Sequence, residues 1–138
     1  MPRTQTCTCG AAELVAQWQD PVRVSPSELD AYIRTLEEAC VGDPASADLL
    51  TCLGVAHAAK SEPASAQLAF ERALAADPEH FFARLRYSEL LLRLRKFDSA
   101  EGHTRLASHA ARNRAESAMA KRLLSAVRKA SKTPIKTD

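Results

Sequence analysis

Hydrophobic residues recur every three or four positions along most of the chain, which is the spacing of one buried face of an α-helix. Runs of this kind extend from about residue 10 to about residue 130, and short segments, most of them with proline or glycine, separate them. No run alternates apolar and polar residues between turn signals, as a half-buried strand would. The pattern therefore predicts an all-α protein.

Seven helices are expected, and several have clear start signals. Ser25, Pro26 and Glu28 form a capping-box pattern, so a helix should begin there and run to about Val41. A similar pattern at Asn113 predicts the start of the last helix. The expected helices span residues 10–19, 25–41, 45–59, 63–76, 80–94, 97–110 and 113–130.

Equivalent residues recur through these helices at a fixed interval of 34 positions. The interval links Ala39 to Ala73 and Ala107, and it also links Pro44 to Pro78. Self-similarity at a period of 20–50 residues is typical of stacked helical repeats. Because such repeats bury their apolar faces against one another, the chain is expected to form one domain from 10 to 131. Residues 1–9 are expected to be a disordered tail and residues 132–138 a flexible basic tail.

Each period combines a helix bearing leucine and glycine with a second helix bearing small residues around an aromatic one. The signature positions are Leu50, Leu53, Gly54, Ala66, Phe70, Ala73, Pro78, Ala100 and Ala107. In these positions the chain resembles the tetratricopeptide repeat family, whose period is about 34 residues. The resemblance implies a right-handed α-solenoid of antiparallel helix pairs, with about three pairs and a C-terminal capping helix.

Gly54 lies inside a predicted helix, where glycine costs roughly 1 kcal/mol relative to alanine. Its presence suggests that a neighbouring helix passes too close for a side chain. Phe70 in the next helix is expected to fill the space that the small residues leave. In the following repeat Ser88 stands where this glycine would be.

In the tetratricopeptide repeat family the first helix of each pair lines a concave wall that holds an extended peptide or a partner's helix. The resemblance therefore implies a protein-interaction scaffold or adaptor that binds a protein or peptide partner. The wall is expected to carry Asp48, Cys52, Val55 and Ala59, and then Phe82, Arg86, Glu89 and Arg93.

The last four of these residues share one helical face, because they follow one another at steps of four, three and four. An aromatic residue beside two arginines is typical of binding hot spots. The alternative is a surface stripe in which Glu89 neutralises both arginines. The family's clamp of Lys, Arg and Asn for a C-terminal carboxylate is not reproduced, since Thr51 and Val55 carry neither charge nor amide.

The formal net charge of +2 hides an asymmetry between the two ends of the chain. Residues 1–100 carry 10 basic and 14 acidic side chains, whereas residues 101–138 carry 9 basic and 3 acidic ones. Two further functions stay open: a self-associating structural module, which would make the chain a homo-oligomer, and a binder of nucleic acid or an acidic surface. The second would use the basic end, although cations near a helix C-terminus also complement its dipole, so nucleic acid is the less favoured partner. The residues concerned are Lys121, Arg122, Arg128, Lys129 and Lys132.

The four cysteines do not have the spacing of a strong zinc site. Cys40 and Cys52 are expected to be small buried thiols, while Cys7 and Cys9 leave metal binding or redox activity open. Because the spacing of a zinc signature is absent, we expect no metal and no other cofactor.

Catalytic motifs are also missing from the sequence. The four histidines, at 57, 80, 103 and 109, have scattered helical phases, and no phosphate loop or zinc-protease motif occurs. No apolar run is long enough to span a membrane, and the N-terminus has no apolar core of a secretory signal. The sequence predicts a cytoplasmic protein that is not an enzyme.

Overall fold

The computed structural model describes residues 25–133, and within that range the chain forms six α-helices and no strand. The helices are α1 (Pro26–Gly42), α2 (Ala47–Ala59), α3 (Pro63–Ala76), α4 (Phe81–Arg93), α5 (Phe97–Ala110) and α6 (Arg114–Ser131). The all-α prediction is confirmed, and the helix boundaries agree with the expected ones to within two residues. The expected helix at 10–19, Cys7 and Cys9, and residues 134–138 lie outside the described part of the chain.

The chain divides into two compact units, Met1–Pro78 and Glu79–Asp138. In the first unit α2 packs against both α1 and α3, and in the second unit α5 packs against both α4 and α6. Helix α6 also contacts α4. Because short loops join neighbouring helices, each unit is built from consecutive antiparallel helices.

The helix starts follow the capping signals of the sequence. The Ser25 Oγ accepts a hydrogen bond from the Glu28 N–H at 3.3 Å, and Glu28 Oε2 accepts one from the Ser25 N–H at 3.0 Å. At the start of α6, Asn113 Oδ1 accepts from the Glu116 N–H at 2.8 Å. The Glu116 carboxylate returns to the Arg112 N–H and not to that of Asn113, so this capping box is only half formed.

Two helix ends share one geometry 34 residues apart. Ser61 follows α2 with φ 62°, and Arg95 follows α4 with φ 59°, so both lie in the left-handed region. In each case the next N–H reaches back to a carbonyl in the last turn, as Glu62 N–H does to His57 O at 2.9 Å. This is a Schellman ending, which satisfies carbonyls that would otherwise lack partners.

The seam between α2 and α3 depends on one small residue facing one large one. Gly54 and Phe70 are both buried, and the Phe70 ring occupies the space that a side chain at 54 would need. In the second unit the equivalent residues are Ser88 and Thr104, both fully buried. Their hydroxyls donate to carbonyls one turn earlier in their own helices, at 2.7 and 2.6 Å. Ser88 is larger than Gly54, and Thr104 is smaller than Phe70. The changes in side-chain size at the two positions therefore partly compensate each other.

The alanines of the repeat signature are packing residues. Ala66, Ala73, Ala100 and Ala107 have no exposed surface, as helices in close contact require. In the second unit Ala107 belongs to a cluster with Phe81, Leu85 and Ala120, against which Met119 and Leu123 of α6 pack. Helix α6 therefore covers an apolar surface of α4 and α5.

Candidate functional site

The residues expected to bind a partner occupy two equivalent faces, one in each compact unit. We call Asp48, Cys52, Val55 and Ala59 the α2 face, and Phe82, Arg86, Glu89 and Arg93 the α4 face. Each residue of the α2 face is 34 positions before its counterpart in the α4 face. Asp48, Phe82 and Arg93 are exposed, and the other five side chains are half-buried. All eight residues thus retain surface that a partner can reach.

Phe82 is held in place although its ring is accessible. It is 39% exposed, whereas its neighbour Phe81 is only 4% exposed. The two rings meet edge to face, with centroids 5.0 Å apart and an interplanar angle of 82°. Aromatic pairs favour this arrangement. Phe82 is therefore an apolar side chain on the surface with one edge fixed by the core.

The charges of the α4 face are only partly neutralised. Arg86 Nη1 donates to both carboxylate oxygens of Glu89, at 2.9 and 3.1 Å. No carboxylate among residues 25–133 forms an ion pair with Arg93. The expectation that Glu89 might neutralise both arginines therefore holds for Arg86 alone. One positive charge, about three helical turns from Phe82 on the same face, is left for a partner.

The α2 face has a different chemistry. The Cys52 thiol is hydrogen-bonded to the Tyr32 hydroxyl of α1, and burial raises the pKa of Cys52 to about 11. Burial likewise raises the pKa of Tyr32. Both groups are therefore protonated and uncharged at neutral pH. Apart from Asp48, this face offers small, neutral side chains.

Tyr32 is the residue near the site that sequence reasoning missed. It lies on α1 at the position equivalent to Ala66 and Ala100, where the other repeats have a methyl group. The signal that could have identified Tyr32 is its large polar side chain, since the equivalent residues of the other repeats are small. Its partner, Cys52, lies on a different helix, so no local pattern connects the two.

The described residues include two free cysteines and several histidines that make polar contacts. Cys40 and Cys52 are free thiols, and Cys40 is buried. His57 Nδ1 donates to Glu62 Oε1 at 2.8 Å, and this bond lowers the pKa of the Glu62 carboxyl. His103 Nδ1 lies 3.0 Å from Arg84 Nη1. Residues 25–133 contain no group of three or more side chains that could hold a metal ion.

The basic end of the chain forms an open groove along α6. Its volume is about 630 Å³, and it is lined by Lys121, Leu124, Ser125, Arg128, Lys129, Lys132 and Thr133. Glu101 of α5 lies 2.7 Å from Arg105 and 3.8 Å from Arg128, so it neutralises Arg128 only weakly. Arg122, the fifth basic residue noted in the sequence, is exposed on the same helix. In the described range, no helix has the length and apolar content needed to cross a membrane.

Solved structures with the same fold include two bacterial proteins and one fungal domain. The type III secretion translocator chaperone SycD of Yersinia enterocolitica has a TM-score of 0.76 at 17% identity, over 96% of this chain and 90% of SycD. PcrH of Pseudomonas aeruginosa has a TM-score of 0.75 at 20% identity, over 93% and 95% of the two chains. The Sgt2 TPR domain of Aspergillus fumigatus has a TM-score of 0.74 at 17% identity, over 100% and 89%. At these identities the likeness establishes a shared fold.

The sequence comparisons cover a smaller part of the chain than the structural ones do. No curated protein matches the chain. The family model described as tetratricopeptide repeat matches residues 57–124, which begin in α2 and end in α6. The matched segment includes Phe70, the signature alanines and the whole α4 face. Residues 57–124 of this chain therefore belong to the tetratricopeptide repeat family.

Proposed function

We propose that this chain is a non-catalytic protein-interaction module that binds a peptide or helical segment of a partner protein, and that its α2 face and its α4 face each offer a surface for such a segment. One observation carries the proposal: a core-anchored, exposed Phe82 shares a helical face with Arg93, which has no ion-pair partner in the described residues. Aromatic residues and arginines of this kind dominate binding energies at protein interfaces.

Several similar structures contain a bound partner segment. PcrH is known in complex with the chaperone binding region of PopD, and SycD in complex with a peptide of the translocator YopD. The second TPR domain of human RPAP3, with a TM-score of 0.64, is known in complex with an HSP70 peptide. These partners belong to those proteins, and they support peptide binding as the class of function for this fold.

The chemistry of the α4 face indicates which segments it would select. Phe82 offers an apolar contact, and Arg93 offers a cation that can donate to a carboxylate. Because the 11-residue separation of Phe82 and Arg93 corresponds to about 16 Å along the helix, we expect a segment whose apolar and acidic side chains are separated by about that distance. The neutral α2 face would accept small or apolar side chains and would discriminate less.

An arrayed peptide library probed with the purified protein tests this proposal. We expect the double variant Phe82→Ala/Arg93→Ala to bind the selected peptides about tenfold more weakly or worse, since truncating hot-spot residues costs more than about 1 kcal/mol each. In extended peptides, the selected sequences should be enriched in an apolar residue about five positions from Asp or Glu, since an extended chain rises about 3.3 Å per residue.

The matched control is Arg105→Ala/Leu106→Ala on α5, in the same compact unit. It also removes an exposed apolar residue, Leu106 at 48% exposure, together with an exposed arginine that pairs with a carboxylate. This control should bind the peptides as the wild type does. Equal losses in both double variants, or no loss in the first, would contradict the assignment of the α4 face.

The cytoplasmic location inferred from the sequence stays a prediction.

A further inference from the structure

We propose that the exposed C-terminal end of α1 docks in the α6 groove of a second copy of this chain. The α1 end has an exposed apolar residue surrounded by carboxylates. The α6 groove has an apolar residue surrounded by cationic side chains, which we call its rim, as we call the carboxylates the rim of the α1 end. Neither surface includes a residue of the α2 or α4 face, so this inference does not depend on the proposed peptide binding.

The α1 end consists of Glu37, Glu38, Val41 and Asp43. Val41 is 83% exposed, and the two glutamates lie four and three residues before it, on the same side of the helix. All three carboxylates are exposed, and none forms an ion pair within residues 25–133. A surface with an accessible apolar centre and unneutralised acidic neighbours is therefore available for contact.

These carboxylates also lie at the wrong end of their helix. The C-terminal end of a helix carries partial negative charge and favours cations. The last turn of α1 has no basic residue, unlike that of α6, which carries Arg128 and Lys129. A cationic surface supplied from outside would thus stabilise the α1 end.

The α6 groove has the complementary arrangement. Leu124 is half-buried, with Lys121 three residues before it and Arg128 four residues after it. Lys129 and Lys132 complete the rim, and neither they nor Lys121 form an ion pair in the described part of the chain. The groove can therefore receive Val41 against Leu124, with the acidic rim facing the basic one.

The contact joins two different surfaces, so a dimer keeps one free α1 end and one free α6 groove. Contacts of this type are heterologous and produce open chains unless a ring closes. Because both rims are exposed, the attraction should be weak and should be screened strongly by salt. The expected behaviour is a reversible association that grows with protein concentration.

Sedimentation velocity of the full chain over a range of concentrations provides the test. At about 0.05 M salt the wild type should associate progressively, and at about 0.5 M salt the association should weaken at least tenfold because the Debye length falls. The variants Glu37→Gln/Glu38→Gln and Lys129→Gln/Lys132→Gln should each remain monomeric, since each has lost one rim. Mixed together, they should form a dimer that does not grow, because only one complementary pair of ends remains.

The control Lys96→Gln/Arg112→Gln lowers the net charge by two outside both surfaces, as Lys129→Gln/Lys132→Gln does within the groove, and it should associate as the wild type does. A strictly monomeric wild type at high concentration and low salt would overturn the proposal. So would a mixture of the two double variants that stays monomeric. If the wild type is monomeric but binds a glutamate-rich peptide or a single-stranded oligonucleotide through Lys129 and Lys132, the groove belongs to a different partner and the proposal also fails.

Discussion

Gly54 of α2 faces the ring of Phe70 in α3 so closely that a Cβ at position 54 would lie 2.6 Å from the Phe70 Cε1. Two further ring carbons would lie at 2.8 Å. The Phe70 side chain is only 1% exposed, so its ring cannot swing into solvent to make room. This contact sets how closely α2 and α3 approach each other.

Replacing Gly54 with alanine should therefore destabilise the protein. Alanine favours a helix over glycine by about 1 kcal/mol, but the added methyl group would overlap the buried ring. Overpacking of a dense core typically costs about 1–3 kcal/mol, so we expect a net loss of that order. Urea unfolding of wild type and variant, followed by circular dichroism, measures the difference.

The control for this change is Gly102→Ala in α5. A Cβ at Gly102 would meet no atom within 4 Å, so only the helix propensity changes and the protein should gain up to about 1 kcal/mol. Opposite signs for the two glycine variants would support a steric role for Gly54. Stabilisation by both would mean that Phe70 is not a rigid neighbour.

The sequence predicted this contact because the 34-residue period assigned Gly54 and Phe70 to facing helices. The same period did not predict how the second unit packs, since Ser88 and Thr104 replace the pair there. Their hydroxyls bond to carbonyls of their own helices, which permits burial without a partner on the facing helix. Periodicity identifies equivalent positions, but the volumes that fill them are decided jointly by residues on two helices.

Two other features had no local signal. Ser61 and Arg95 adopt a left-handed conformation that usually selects glycine or asparagine, so nothing in either residue predicts it. The hydrogen bond between Tyr32 and Cys52 joins two helices, and the spacing of residues within either helix does not indicate it. Both features depend on tertiary contacts or on backbone geometry beyond the reach of a single helix pattern.

The conformation of Ser61 makes Ser61→Gly a stabilising change. A left-handed residue other than glycine costs about 1–2 kcal/mol, which the glycine variant would recover. Glycine also makes the unfolded state more flexible, and this offsets part of the stabilisation. We expect the free energy of unfolding to rise by about 0.5–1 kcal/mol, measured by urea unfolding.

Arg95→Gly provides the comparison, because Arg95 shares the left-handed geometry but also makes side-chain contacts. Its guanidinium lies 4.9 Å from the centroid of the Phe97 ring, and its Nη2 donates to the Thr133 carbonyl at 3.0 Å. The glycine variant loses both contacts and should gain less than Ser61→Gly. A larger gain for Arg95→Gly would show that these contacts contribute nothing.

The Glu62 carboxyl gives the protein a specific acid dependence. Its hydrogen bond with His57, with a smaller effect of Lys60, lowers the folded-state pKa below the ordinary value of 4.5. A lowered carboxyl pKa contributes stability that is present above the unfolded-state pKa and is lost as the pH falls through the folded-state pKa. Wild type should therefore exceed Glu62→Gln in melting temperature near neutral pH, and the difference should shrink below about pH 4.5. A difference that is constant from neutral to acid pH would exclude this linkage.

The raised pKa of Cys52 predicts slow alkylation at neutral pH. Only the thiolate reacts, and with a pKa of about 11 the reaction with iodoacetamide should accelerate roughly tenfold per pH unit until the pH approaches that value. The Tyr32 hydroxyl stabilises the thiolate by donating to it, so Tyr32→Phe should raise the pKa of Cys52 further and slow the reaction at a given pH. Mass spectrometry of the peptide containing Cys52 measures the rate separately from the other thiols, and melting curves of the variant check that α1 and α2 stay packed. If Cys52 reacted at neutral pH as fast as glutathione does, burial would not raise its pKa. If Tyr32→Phe accelerated the reaction with an unchanged melting curve, the Tyr32 hydroxyl would not stabilise the thiolate.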